Sequence, residues 1–159
     1  MQTIYIDHNI ITAFFLSNHP FHKQAVTDVA LFLKSKDNYF CSINAVFESI
    51  KELISSLTKA KEKQLLSSQF EIEKQVISKV NSFLKKLNIK ILYTSNEEIF
   101  SHALSLQSEF KIRFDIAFYT ALLQEQKIKI IATFDEGYNI LFSEGILIKY
   151  QSNRFSEAE

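Results

Sequence analysis

The sequence predicts an α/β fold: a mostly parallel sheet of four or five strands, flanked by helices on both faces. Three observations carry this. Short apolar, β-branched runs alternate with longer stretches of helical period, the pattern of repeated strand–helix–strand units. Two glycines and one proline are too few for an all-β fold with many tight turns. Hydrophobic residues make up 47 % of 159 residues, with fifteen Phe and six Tyr, which excludes disorder as the default and supplies one sizeable core.

The elements follow in order. Residues 3–6 (TIYI) read as a buried strand that ends at Asp7-His8-Asn9. Residues 10–16 form a helix, broken by Ser17-Asn18-His19-Pro20. A helix over 21–34 places Ala25, Val29, Phe32 and Leu33 at roughly helical spacing, and Lys36-Asp37-Asn38 turns the chain into strand 39–42 (YFCS). The helix over 45–57 carries Val46, Ile50, Leu53 and Leu57 on one stripe. Residues 58–70 (TKAKEKQLLSSQF) are polar and helix-compatible, an extension of that helix or an arm; Lys59, Lys61 and Lys63 there make a lysine strip suited to a phosphate-bearing partner. Residues 71–87 form another amphipathic helix, 89–93 a third strand, and 96–109 a helix with Ser95 or Asn96 as N-cap. A helix over 114–125, a fourth strand over 128–133 (IKIIAT) and a short fifth over 146–149 complete the series. With no internal repeat or linker, one domain over 1–150 and a tail over 151–159 are expected.

Composition removes several functions. A single cysteine, Cys41, excludes an internal disulfide framework and a CxxC metal knuckle; a buried hydrophobe in a strand is its simplest role. The start MQTIYIDHN lacks the basic, long apolar pattern of a signal peptide, and no run of 18 apolar residues exists, so a cytoplasmic protein without a membrane span is expected. Net charge is zero but uneven: residues 34–90 hold 11 Lys against 6 acids, whereas 91–159 carry a net charge of −4. A basic middle segment suits a phosphate-facing surface, although solvated lysines on long helices account for it equally well.

In open α/β sheets, ligands bind beyond the carboxyl ends of the strands. Asp7 directly follows the first strand and Asp135 lies two residues after the fourth, so neighbouring strands would bring two carboxylates to one rim; helix capping is the plainer role for either alone. Asp115 opens a helix amid Ile112, Phe114, Ile116 and Phe118, where a carboxylate must be capped, paired or coordinated. Glu48 sits opposite its helix's apolar stripe, and Glu52 one turn later competes with it.

Four stretches together resemble PIN domains, named after the N-terminal domain of PilT proteins: IYIDHN, SINAVFESIKEL, FDIAFYTALL with its small residue Ala121, and IIATFDEGY. They span about residues 4–140. The resemblance implies that Asp7, Glu48, Asp115 and Asp135 are the metal-binding, catalytic acids, with Asn9 orienting a ligand or water and Thr133 supporting the site from behind. It implies Mg²⁺ or Mn²⁺ as cofactor, metal-dependent endoribonuclease activity on RNA, and a toxin of the VapC-like toxin–antitoxin type with an antitoxin and a second copy of itself as partners. The chain departs from the pattern in a longer polar link at 58–71, in scarce arginine (Arg113 and Arg154), and in Glu136, which follows Asp135 and competes for its role.

The chemistry explains the residue types. Phosphodiester cleavage builds negative charge that hard divalent cations offset while lowering the pKa of a bound water. Those ions prefer oxygen ligands, so carboxylates suit them better than His or Cys. The four histidines lack the paired spacing of a structural zinc site. No GxxxxGK[ST], GxGxxG or GxSxG occurs, and Asn9 stands where a phosphotransferase of the haloacid dehalogenase type would place a second Asp. Phe134 and Tyr138, flanking Asp135, are the aromatics placed to meet a substrate. A PIN-like binding or scaffold module without activity, or a DNA-directed or structure-specific nuclease of related fold, are the alternatives.

Overall fold

The structure, a computed structural model, describes residues 1–61, 69–93 and 96–151. Five parallel strands form one sheet: β1 (Thr3–Ile6), β2 (Asn38–Ser42), β3 (Lys90–Leu92), β4 (Ile130–Ala132) and β5 (Ile148–Lys149), in the order β3-β2-β1-β4-β5. The helices among the described residues are α1 (His8–Phe15), α2 (His22–Lys34), α3 (Ile43–Lys61), α4 (Gln69–Lys86), α5 (Glu97–Phe110), α6 (Phe114–Glu125) and α7 (Asn139–Ser143), with a 3-10 turn at Glu136–Tyr138. None is long and apolar enough to cross a membrane.

Period-two alternation in β1 explains the layering. Ile4 and Ile6 face a core shared with Ile10, Phe32, Leu53, Val76 and Val80 of α1–α4. Tyr5 points the other way, into a core with Ala103 of α5, Ile116 and Leu122 of α6, and Leu141 of α7. A central parallel strand covered on both faces is apolar throughout, and these three side chains are fully buried.

β1 pairs with β2 on one side (Thr3 opposite Asn38) and with β4 on the other (Ile6 opposite Ala132). The chain steps outward through β2 and β3, then returns to the far side of β1. The carboxyl ends of β1 and β4 therefore stand side by side at the point where the strand order reverses, the position at which such sheets bind ligands.

The bounds expected for β1 and α6 match those observed. Elsewhere two open alternatives are decided, in α3 and at Asn96, and two elements differ from expectation, α4 and the 3-10 turn with α7. α3 continues four residues past 57 to Lys61, since 58–61 (TKAK) contain no helix breaker. Residues 69 and 70 begin α4, so the arm expected over 58–70 shrinks to 62–68, which, with Lys63, lie outside the described residues. Asn96 caps α5, its Oδ1 accepting from Glu98 N at 2.8 Å. The 3-10 turn and α7 escape a reading by periodicity because they span only three and five residues.

Candidate functional site

Asp7 leaves β1 and caps α1, with 1 % of its surface exposed. Its Oδ1 accepts from His8 N at 2.7 Å and lies 2.9 Å from His8 Nδ1. Its Oδ2 accepts from Asn9 Nδ2 at 2.9 Å and from Thr133 Oγ1 at 2.7 Å. A carboxylate offers about four lone-pair positions, and all four are used. Thr133 also accepts from Asp135 N at 3.0 Å, and Asn9 Oδ1 accepts from Phe134 N at 3.0 Å. Asn9 and Thr133 thus tie the exit of β1 to that of β4.

Asp135 caps the 3-10 turn, its Oδ1 accepting from Gly137 N at 2.8 Å. A Cβ at Gly137 would collide with Ile116 and sit 3.0 Å from Asp135 Oδ1, so glycine lets this turn close under the carboxylate. Arg113 donates through Nε and Nη2 to both oxygens of Asp115, at 3.1 and 2.9 Å. The residue before α6 is Arg113 itself, with no side-chain cap; Asp115 sits in the first turn and is paired rather than capping. Partial burial raises the Asp115 pKa, and the Arg113 hydrogen bond and charge more than reverse this, holding it below the ordinary carboxylate range.

His8 occupies the other half of the site. Its Nδ1 lies 3.5 Å from Glu48 Oε2 and its Nε2 lies 3.6 Å from Glu52 Oε1. Burial lowers its pKa, but the hydrogen bond to Asp7 and the charges of Asp7, Glu52 and Glu48 outweigh that and raise it from 6.5 to about 9. Glu48 also accepts from Tyr119 Oη at 3.0 Å, and Glu52 from Thr12 Oγ1 at 2.8 Å. Burial and the Glu48 charge push the Tyr119 phenol up, so it stays protonated and donates.

These groups surround an open cleft of about 750 Å³, with Glu48, Glu52, Asp115 and Asp135 on its walls beside Arg113 and Lys51. Asp7 lies behind His8 and Asn9, which line the cleft directly. Both competing residues of the helical pair, Glu48 and Glu52, reach it. Glu136 is exposed and is not part of the lining. Tyr138 is 1 % exposed within the core, which removes it from substrate contact; its burial follows from the inward turn of Glu136–Tyr138. Phe134 does line the cleft, together with Phe21. Cys41 is a buried hydrophobe, its thiol pKa raised by burial.

The sequence reading gave no part to Arg113 in the acid cluster, nor to Tyr119 and Lys51. His8 carried a usable signal, being the first helical residue after a buried acid. Tyr119 carried none, because α6 is buried almost all round and no stripe reveals its polar edge.

The acid set is hard and all-oxygen, which fits Mg²⁺ or Mn²⁺ in donor chemistry. Among the described residues, no three His, Cys, Asp or Glu side chains close on a single point as they would around an ion. Two internal cations take up the negative charge instead, His8 between Asp7, Glu48 and Glu52, and Arg113 between Asp115 and Asp135.

The sheet order and the helices on both faces define an α/β domain of PIN-like fold. Among solved structures, the chain is similar to VapC20 of Mycobacterium tuberculosis, a sarcin-ricin loop cleaving toxin, at 11 % identity and a TM-score of 0.56, over 88 % of this chain and 94 % of that one. No protein-family model and no curated protein matches the sequence.

Proposed function

We propose that the chain is a divalent-metal-dependent endoribonuclease, one domain over residues 1–150 that hydrolyses RNA phosphodiester bonds. The observation that carries this reading is the gathering of Glu48, Glu52, Asp115 and Asp135 around one cleft at the strand-order reversal, with Asp7 behind it. His8 and Arg113 set two positive charges against these five acids, and the negative charge left over is what a divalent ion would offset.

A bound Mg²⁺ or Mn²⁺ supplies neutralisation of phosphate charge and a lowered water pKa. Glu48, Asp115 and Asp135 would hold it from the walls, with Glu52 able to replace Glu48. Asp7 would contribute once His8 Nδ1 leaves its Oδ1, while Asn9 and Thr133 keep its other oxygen in place. Lys51 and Arg113 offer cations to the flanking phosphates. The fold shared with a toxin supports a VapC-like role in a toxin–antitoxin pair, with an antitoxin and a second copy as partners, in the cytoplasm. The second reading, a PIN-like binding module without activity, draws on His8 and Arg113 already balancing the acids.

The test is incubation of a mixed RNA pool with Mn²⁺ or Mg²⁺, comparing the native chain with Glu48→Gln and Asp115→Asn, alongside calorimetry with each ion. Metal-dependent cutting that both variants lose supports the ribonuclease. Ion binding without cutting directs the search to a specific structured RNA. Neither binding nor cutting favours the binding module, and preferential cutting of DNA favours a DNA-directed nuclease.

A further inference from the structure

We propose that Phe21 and Phe134 form a platform on which a base of a single-stranded RNA substrate stacks beside the carboxylates; this rests on the ribonuclease reading and locates one base of its substrate. The two rings lie parallel, with centroids 4.7 Å apart and an interplanar angle of 17°. Phe21 is 44 % exposed, a large apolar ring held at the start of α2 and open to solvent. Phe134 packs partly against the core, so burial accounts for its ring but not for that of Phe21.

The pair forms a wall between two hollows. One is the acidic cleft; the other is a cavity of about 550 Å³ bordered by Lys149 and Gln151. Arg113 and Lys51 therefore lie on one side of the rings and Lys149 on the other. Cations flanking an exposed aromatic face are what a single strand requires, since its phosphates seek charge while its bases seek ring faces. The platform is also fixed relative to the acids. Phe134 N donates to Asn9 Oδ1, and Asn9 Nδ2 in turn holds Asp7 Oδ2. A base stacked there would sit at constant distance from the reacting phosphate.

The test is fluorescence anisotropy of a labelled single-stranded RNA octamer with the full chain at low salt, with EDTA present so that no metal-dependent cutting intervenes. Phe21→Ala and Phe134→Leu should each weaken binding by about 5- to 100-fold, the loss expected for one stacked base. Phe21→Tyr, which keeps a ring face, should bind as the native chain does. Phe21→Ala should melt close to the native temperature, which separates lost stacking from lost folding. Native affinity in both Phe21→Ala and Phe134→Leu overturns the platform, whatever the cleavage assay gives. Ring-dependent binding with neither ion binding nor metal-dependent cutting leaves the platform standing and overturns the nuclease instead. No binding by the native chain overturns the platform, and the nuclease then stands or falls on the cleavage assay.

Discussion

The guanidinium of Arg113 donates to the carboxylate of Asp135 across 22 residues of chain, Nη2 to Oδ2 at 2.6 Å, while its other edge grips Asp115. An ion seated between those two acids must share them with this cation or displace it. Arg113→Gln should therefore tighten Mn²⁺ binding by about 3- to 10-fold in calorimetry, the scale of one unit charge near 4 Å in water. The Asp115 pKa should rise when its partner is lost, which NMR titration would follow. Stability should change by less than about 1 kcal/mol, because the pair is largely exposed. Unchanged ion affinity would place Arg113 outside the metal equilibrium.

His8 predicts a pH dependence of the metal-free chain. Its folded pKa of about 9 lies above the ordinary 6.5, so the folded state binds the proton more tightly. The stabilisation is complete below about pH 6.5 and is lost as pH rises through 9, roughly 3 kcal/mol in all. Urea unfolding across that window should show the decline, and His8→Gln should remove it. A native profile flat from about pH 6.5 to 9 would exclude the charged imidazole.

Asp7→Asn should destabilise the chain by about 1–3 kcal/mol, because an amide cannot accept on both oxygens from donors that remain buried. Asp115→Asn alters a half-exposed side chain and should melt within about 2 °C of the native protein. The second variant is therefore the cleaner probe of activity. Equal melting temperatures for the two would mean that the Asp7 network contributes little to stability.

Thr133→Val keeps shape and removes the hydroxyl that donates to Asp7 and accepts from Asp135 N. Ion affinity should fall about 10-fold or more while the variant stays folded, the usual effect of removing a partner that orients metal ligands. Calorimetry with Mn²⁺ decides it, and native affinity would make Thr133 structural only.

Much of this was legible in the chain, for reasons that can be named. β1 is a threonine and three buried hydrophobic residues ending at an acid, so strand and site arrive together in Ile6-Asp7. Alternating strands and helices imply a parallel sheet but leave open which strands are neighbours; the pairing of β1 with β4 puts Asp7 and Asp135 on one rim. Glu48 and Glu52 could not be separated because residues four apart share a helical face, and both indeed reach the cleft. Arg113 stayed hidden because its partner Asp135 is a long-range neighbour. Tyr138 misled because proximity to Asp135 in sequence says nothing about a turn that points inward.

The pairing of β1 with β4 also bears on how the chain comes off the ribosome. Thr133 reaches Asp7 across 126 residues, and Ile6 meets Ala132 only when β4 slots in beside β1. Contacts this distant along the chain form late, since the intervening segment must first be ordered. A polypeptide stalled before Ile130 already carries Asp7, Glu48 and Asp115, but lacks Asp135 and the Thr133 hydroxyl that holds Asp7. The joining of β4 to β1 is thus the step that completes the acid cluster.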